Sequence, residues 1–247
     1  MDKTKKLTAM FIMWVASIFG GLSMVLFAVF LFVGPFGIVK MELTEDKALF
    51  WNGILSLTFF FQHSCMIRRG FGDVLSRIIK SYYIDAVFAI ISGIVLTCVV
   101  VFWQPATVKL LELDGLSRFM ARIIFIFAIG GLGWGVYSFK SFDPFGSTLI
   151  KSYLNGKSPQ TQMLEVNGPY LWVRHPLYLC ALILLWSCPD LTTDRLLLNV
   201  LWTIWIYLGT ILEERDLLWN FGDKYRAYQK EVPMLIPWKR PLKKKNL

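Results

Sequence analysis

Long runs of apolar residues, separated by short polar stretches, dominate the chain. Four of them cover residues 7–33, 49–67, 82–103 and 119–139, and a further apolar stretch over 177–212 folds back at Pro189-Asp190 and Asp194-Arg195. A helix rises about 1.5 Å per residue and a bilayer core is about 30 Å thick, so runs of about 20 residues can cross it. The pattern therefore predicts an all-α integral membrane protein with about six hydrophobic helical segments, the last two forming a helical hairpin.

The first arm of this hairpin is shorter than the other runs. It covers residues 177–188, about 12 apolar residues or about 18 Å of helix, and is predicted to be short or tilted. The polar stretches over 140–167 and after residue 213 are too short to form cores of their own. We therefore predict a single polytopic membrane domain over 1–247. It has a four-helix part over 1–139 and a cofactor-binding part over 140–247, which ends in a cytoplasmic helix or tail.

The composition supports a membrane protein, because 55% of the residues are hydrophobic and 17% are charged, against about a quarter charged in soluble domains. The formal charge of +9 would suggest a nucleic-acid partner in a soluble protein, but here the basic residues flank apolar runs, where they set membrane orientation. Twenty of the 26 basic residues, including Lys140 and the tail residues 243–245, fall on one predicted side. The other six are Lys40, Lys47, Lys109, Arg118, Arg122 and Arg195. This excess predicts that both termini and the candidate site are cytoplasmic.

The residues that most often bind transition metals are few and scattered. They are Cys65, Cys98, Cys180, Cys188, His63 and His175, and no two cysteines form a CxxC pair. This spacing predicts buried, inert thiols and no metal site.

The fourth apolar run carries a cluster of glycines, Gly130-Gly131-Leu-Gly133-Trp-Gly135. Gly131 and Gly135 are spaced as in the GxxxG motif, which predicts that another helix approaches this face closely. The cluster lacks both the GxGxxG spacing and the βαβ context of a dinucleotide-binding fold, which is therefore excluded.

Two polar groups of opposite character flank the predicted hairpin. Arg174-His175-Pro176 precedes it, and Pro176 suits the first turn of a helix, where unpaired N–H groups and the helix dipole favour a carboxylate. Glu213-Glu214 follows at the expected helix end, where acidic residues oppose the dipole, as is expected at a site rather than in a scaffold. Together they could hold a zwitterion with an added cationic centre, such as S-adenosylmethionine. Alternatively, the first group is a charged membrane boundary and the helix continues as a solvated stretch over 213–228.

A longer pattern contains both groups. It comprises Gly168-x-Tyr-x-x-x-Arg-His-Pro-x-Tyr178, the apolar hairpin, Glu-Glu, Phe221-Gly-Asp-Lys-Tyr-Arg-Ala-Tyr228, and the prolines at 233 and 237. This stretch resembles the membrane-embedded methyltransferase superfamily, which includes isoprenylcysteine carboxyl methyltransferases and phospholipid methyltransferases. The resemblance implies that S-adenosyl-L-methionine is bound here as the methyl donor. The implied cofactor-binding residues are Tyr170, Arg174, His175, Pro176, Leu177, Tyr178, Glu213 and Glu214.

Each of these residues has an expected role in this interpretation. His175, Pro176 and the N–H groups of Leu177 and Tyr178 hold the carboxylate end of the cofactor. Both glutamates bind its ammonium group. The side chains of Tyr170 and Tyr178 line the adenosine or the sulfonium.

Three segments further upstream and one after the hairpin turn are similar to a narrower family. The upstream segments are Phe61-Gln-His-Ser-x-Met-x-Arg68, Tyr82 with the apolar run into Trp103-Gln-Pro105, and Phe142-Asp-x-Phe-Gly146, and the later one is Asp194-Arg-Leu-Leu-Leu198. Together they resemble the methanethiol S-methyltransferase and nurim-like family. This resemblance implies methylation of a small thiol, with methanethiol giving dimethyl sulfide, whereas its nurim branch implies no established catalysis.

One position departs from the superfamily pattern. Prenylcysteine carboxyl methyltransferases have an arginine one helical turn before the cofactor-binding glutamate, where this chain has Gly209. The chain therefore lacks a bidentate clamp for a substrate carboxylate. A small thiol or another lipophilic acceptor, such as a lipid or an isoprenoid thiol, remains open. A non-catalytic nurim-like membrane protein is also open. A transporter is a further alternative, but few polar residues at mid-membrane support it.

His63 is the candidate catalytic residue. It lies in the polar cluster Gln62-His63-Ser64 near the end of an apolar run, where an ionisable group is costly unless it has a role or a partner. The functional interpretation is that His63 orients or deprotonates the thiol, since the thiolate is the nucleophile. The alternatives are an interfacial histidine hydrogen-bonded to another helix, and a thiol that arrives already ionised.

Overall fold

The structure is a computed structural model and describes residues 3–139, 142–157 and 163–242. The predicted cytoplasmic charges at Lys140 and at 243–245 lie outside these residues. The chain forms two compact units. The first unit comprises Met1–Thr107 and Asp143–Thr161, and the second comprises Val108–Phe142 and Gln162–Leu247.

Helices dominate the described residues, which form nine α-helices and two short strands. In the first unit the helices are α1 (Lys3–Val33), α2 (Glu45–Met66), α3 (Arg69–Leu75), α4 (Ile84–Phe102) and α6 (Ser147–Leu154). In the second unit they are α5 (Gly115–Ser138), α7 (Pro176–Trp186), α8 (Thr193–Phe221) and α9 (Asp223–Glu231). Short 3₁₀ turns cover Ser81–Tyr83 and Gly168–Leu171.

Four of the described helices are long and apolar enough to cross a membrane: α1, α4 with its preceding turn, α5 and α8. The chain is therefore an integral membrane protein of largely helical fold. The helix α2 has 22 residues but is less apolar. The helix α7 begins at Pro176 and has 11 residues, which is about 16 Å and falls short of a bilayer core.

Small residues let helices of the first unit pack closely. Ala9 and Ala16 of α1 lie in a buried cluster with Ala86 and Ala89 of α4 and with Ile150 of α6. A Cβ added at Gly93 of α4 would stand 2.6 Å from the backbone oxygen of Phe19 in α1. The α1–α4 contact therefore depends on the absence of a side chain at this position.

In the second unit, the predicted glycine face is confirmed, and its partner is α7. A Cβ at Gly131 would stand 2.7 Å from Sγ of Cys180, and one at Gly135 would stand 2.6 Å from a methyl carbon of Leu177. The close approach of α5 positions the first turn of α7. That turn carries the residues predicted to bind the cofactor.

A small antiparallel ribbon, absent from the sequence-based prediction, lies at the hairpin turn. Strand β1 (Lys109–Glu112) pairs with β2 (Asp190–Thr192). Arg118 of α5 donates two hydrogen bonds, of 2.9 and 2.5 Å, to the Asp190 carboxylate. The ribbon and this ion pair tie the start of α5 to the turn between α7 and α8.

Replacing Gly93 by alanine tests the α1–α4 packing. Alanine is favoured over glycine in a helix by about 1 kcal/mol, but here its Cβ meets backbone that cannot rotate away. Overpacking should cost about 1–3 kcal/mol and lower the thermal unfolding midpoint in detergent. The control is Gly53→Ala in α2, where a Cβ meets nothing within 4 Å, and it should leave the midpoint unchanged or slightly raised. Equal midpoints for the two variants would contradict the close approach.

Candidate active site

The first turn of α7 follows a segment whose backbone is held by the C-terminal part of the chain. His175 is the residue that caps α7, and Pro176 is its first helical residue, as predicted. The N–H groups of Arg174 and His175 donate to the carbonyls of Pro233 and Met234, at 2.9 and 3.1 Å. We call residues 232–242 the C-terminal strap. The strap therefore fixes the direction from which the chain enters α7.

Further contacts fasten the strap and α9 to the same segment. The Leu242 N–H donates to the Leu171 carbonyl at 2.9 Å, and the Tyr228 hydroxyl donates to the Tyr170 carbonyl at 2.5 Å. Burial raises the pKa of the Tyr228 hydroxyl, so this group stays protonated and remains a donor.

Glu214 is the centre of a buried polar network. Its Oε1 accepts from Nε of Arg174 at 2.8 Å, from the Tyr225 hydroxyl at 2.7 Å, and lies 2.7 Å from Nε2 of His175. Its Oε2 accepts from NH2 of Arg174 at 2.9 Å and from the side-chain amide of Gln229. Burial and the hydrogen bond to Glu214 raise the pKa of the Tyr225 hydroxyl. The network links the start of α7 to α8 and α9.

The guanidinium of Arg174 is also occupied within the protein. Besides its two bonds to Glu214, its NH1 donates to the backbone carbonyls of Gln229 and Val232. Its side chain is largely buried. Arg174 therefore forms an internal ion pair that joins α8, α9 and the strap.

Glu213, the neighbour of Glu214, faces a more open environment. Its side chain is 44% exposed, against 10% for that of Glu214. Oε2 of Glu213 lies 3.9 Å from Nδ1 of His175, and its carboxylate is hydrogen-bonded by the Tyr178 side chain. Burial, together with the negative charge of Glu213, raises the pKa of the Tyr170 hydroxyl. His175 and Tyr178 thus meet at the accessible carboxylate of Glu213, whose charge also acts on Tyr170.

Aromatic rings border this group of residues. The rings of His175 and Tyr178 are stacked, with centroids 5.6 Å apart and an interplanar angle of 19°. Phe139, just after α5, places its ring 5.6 Å from that of Tyr170. Stacked and tilted rings of this kind suit an aromatic base or a cationic group.

The structure places the predicted cofactor-binding residues in the second unit, within residues 170–178 and 213–214. His63 lies in the first unit. Its ring contacts those of Phe59 and Phe88, with centroid distances of 5.3 and 4.9 Å. Neighbouring Gln62 donates to the Ser92 hydroxyl at 3.1 Å. The role of His63 as a base stays a prediction.

The predicted helix end at the two glutamates is wrong. The helix α8 continues beyond them to Phe221, and the chain then turns at Gly222 into α9. Glu213 and Glu214 therefore do not oppose the helix dipole as predicted, because neither lies in the last turn of a helix. Their importance follows instead from what each contacts.

Three residues of the site were not predicted from the sequence. Tyr225 was part of the quoted motif but had no assigned role, and Gln229 and Phe139 carried no signal. The spacing of Tyr225 and Gln229, four residues apart on a polar helix, shows that they share a face. It does not show which residue they face.

Comparison with known proteins finds relatives that share most of the chain. A methanethiol S-methyltransferase of Pseudomonas sp. (strain GM41(2012)) is 32% identical over 200 residues, 79% of this chain and 75% of its own length. Methanethiol S-methyltransferase 1 of Bradyrhizobium diazoefficiens is 30% identical over 204 residues, 81% of this chain and 70% of its own length. Nurim of Xenopus laevis is 38% identical over 63 residues, 26% of this chain and 20% of its own length. No family model matches the chain, and no solved structure matches it significantly.

Fold and site together define a helical integral membrane protein with a polar centre at the start of a short helix. On the similarity to the bacterial relatives, which extends over most of both chains, this chain belongs to the methanethiol S-methyltransferase family. The expected family is thereby confirmed.

Replacing Tyr225 by phenylalanine tests the Glu214 network. The change removes one buried donor from Glu214 and should cost about 1–3 kcal/mol, seen as a lower unfolding midpoint in detergent. The matched control is Tyr137→Phe, since Tyr137 is 86% exposed. A Tyr225→Phe variant as stable as this control would show that Glu214 does not depend on the hydroxyl.

Proposed function

We propose that the protein is a membrane methyltransferase that transfers a methyl group from S-adenosyl-L-methionine to methanethiol, giving dimethyl sulfide. The observation that carries this proposal is the similarity to proteins named methanethiol S-methyltransferase over about four fifths of the chain. The polar centre formed by Glu213, His175 and Tyr178 supports it, because it offers the groups that such a methyl donor requires.

The residues present fit the proposed donor. The half-exposed carboxylate of Glu213 suits an ammonium group. The first backbone hydrogen bond of α7 runs from Leu179 N–H to the His175 carbonyl, so the N–H groups of Leu177 and Tyr178 point out of the helix start and suit a carboxylate. The aromatic rings of Tyr170 and Tyr178 suit the adenosine or the sulfonium. These proposed contacts all lie in the part over 140–247.

The proposed donor supplies an activated methyl group on a sulfonium, and the departing thioether takes the electron pair of the broken carbon–sulfur bond. The protein's task is to align donor and acceptor and to keep water away. The acceptor sulfur attacks as the thiolate, so the thiol proton must leave first. We propose His63 as the group that orients the thiol or takes this proton.

A small acceptor is favoured over a prenylcysteine by the residue at position 209. Gly209 of α8 lies one helical turn before Glu213, and it offers no guanidinium for a substrate carboxylate. A lipid or isoprenoid thiol is the second candidate acceptor, because the helices of this protein lie in lipid. The Nurim similarity supports a third candidate, a non-catalytic membrane protein.

We also propose the membrane orientation. The excess of basic residues on one side supports a cytoplasmic position for both termini and the donor site, and the donor is made in the cytoplasm. The apolar helices α1, α4, α5 and α8 would cross the bilayer. This orientation also requires α2 to cross and the short α7 to bring the hairpin turn near the far side.

Gas chromatography of the headspace tests the reaction. Purified protein in detergent, given S-adenosyl-L-methionine and methanethiol, should release dimethyl sulfide. Glu213→Gln should lower the rate roughly tenfold or more, because it removes a charge-assisted hydrogen bond of about 1.5–3 kcal/mol. The control is Glu231→Gln, an exposed carboxylate at the end of α9, which should keep the rate.

The same preparation separates the candidate functions. With a donor labelled in the methyl group, label in a lipid extract and none in the headspace would favour the lipid acceptor. Binding of S-adenosylhomocysteine without any transfer would favour the non-catalytic candidate. If the protein neither binds S-adenosylhomocysteine nor transfers a methyl group, the proposed function is contradicted.

A further inference from the structure

We infer that the two adjacent glutamates have different roles. Glu214 is a positioning residue that fixes the imidazole of His175, while Glu213 and Nδ1 of His175 together receive the ammonium group of the ligand. The identity of this ligand rests on the proposed function, but the positioning of His175 is a property of the ligand-free protein. The sequence-based assignment is thereby revised, since it had both glutamates bind the ammonium and His175 help to hold the carboxylate.

Glu214 has no acceptor capacity left for a ligand. A carboxylate offers about four lone-pair positions, and Glu214 takes part in five hydrogen bonds, with Arg174 (twice), His175, Tyr225 and Gln229. Its side chain is only 10% exposed. An ammonium group could reach it only by displacing one of these buried donors, which would then lose its partner.

The ion pair with Arg174 determines which nitrogen of His175 carries the proton. Two hydrogen bonds from the guanidinium keep Glu214 ionised, and an ionised carboxylate only accepts. Nε2 of His175, at 2.7 Å from Oε1, must therefore donate. In the neutral ring the other nitrogen, Nδ1, then presents a lone pair.

This lone pair faces a second acceptor. Oε2 of Glu213 is 3.9 Å from Nδ1 of His175, too far for a direct hydrogen bond, and neither atom has a proton to donate in the neutral tautomer. A group with several N–H donors and a positive charge can bond to both acceptors at once. An ammonium group has these properties, and Glu213 is exposed enough to admit it.

The arrangement also gives α9 a role. Tyr225 and Gln229 reach Glu214 from α9, and Arg174 reaches the carbonyls of Gln229 and Val232. The helix therefore supports the carboxylate that orients His175, without itself contacting the ligand.

The tautomer of His175 can be measured directly. The chain has two histidines, so a His63→Asn variant, produced without an affinity tag of histidines, leaves His175 as the single one. With ¹⁵N-labelled histidine, the two ring nitrogens give separate resonances for protonated and unprotonated states. At a pH where the ring is neutral, we expect a protonated Nε2 and an unprotonated Nδ1 in the ligand-free protein, and a shift of the Nδ1 resonance on adding S-adenosylhomocysteine. A neutral ring with the proton on Nδ1, an averaged mixture, or a ring that keeps both protons throughout the pH range in which the protein is folded would overturn the inference.

Two matched variants separate positioning from binding. Glu213→Gln should weaken S-adenosylhomocysteine binding, measured by calorimetry, about tenfold or more, and should shift the unfolding midpoint by less than about 2 °C. Glu214→Gln should lower the midpoint by about 10 °C, because it leaves the buried Arg174 without its charge partner, and should turn the single tautomer into a mixture.

Other outcomes have definite meanings. A Glu214→Gln protein that keeps its midpoint and its single tautomer would overturn the positioning role, and so would equal losses of stability in the two variants. If the Glu214→Gln protein cannot be purified in folded form, the tautomer of His175 in the His63→Asn protein decides whether Glu214 positions the ring. If the unaltered protein binds no S-adenosylhomocysteine, the proposed methyl donor is wrong, and the ligand-free tautomer still tests the role of Glu214.

Discussion

A buried ion pair between Arg174 and Glu214 holds together three stretches that are distant in the sequence. It joins the segment before α7 to α8, and through Tyr225 and Gln229 it reaches α9. Breaking a buried pair of this kind leaves one uncompensated charge and costs about 3–5 kcal/mol. The ion pair therefore does more than add stability: the direction of the His175 ring, and so the character of the neighbouring polar centre, depends on it.

Features that follow from local chemistry could be predicted from the sequence. Pro176 lacks an N–H and so belongs in the first turn of a helix, which located the start of α7. Gly131 and Gly135 are four residues apart, which put them on one face of α5, and the structure shows α7 packed there. The long apolar runs likewise predicted the membrane class. In each case the residue type restricts either the backbone conformation or the environment in which the segment can lie, and it does so independently of the rest of the fold.

Features that depend on distant partners could not be predicted. The apolar run ends near residue 212 but α8 continues to Phe221, because a helix can leave the membrane without ending. The two glutamates are identical in type and adjacent, so only the tertiary contacts show that Glu214 is buried and Glu213 accessible. The ribbon of β1 and β2 pairs residues about eighty positions apart, and its strands of three and four residues are too short to leave a pattern.

Gly222 shows how a single torsion angle decides whether α9 can take part in this arrangement. Its φ of +53° and ψ of −126° belong to a region that residues with a Cβ rarely enter. In an uninterrupted helix, residues 214 and 225 would be about 16 Å apart along the axis, yet the Tyr225 hydroxyl lies 2.7 Å from the Glu214 carboxylate. A Cβ at position 222 would meet nothing within 4 Å, so the demand for glycine there is conformational and not a matter of space. The polar centre therefore depends on the sharp bend at Gly222, without which α8 and α9 would form one continuous helix.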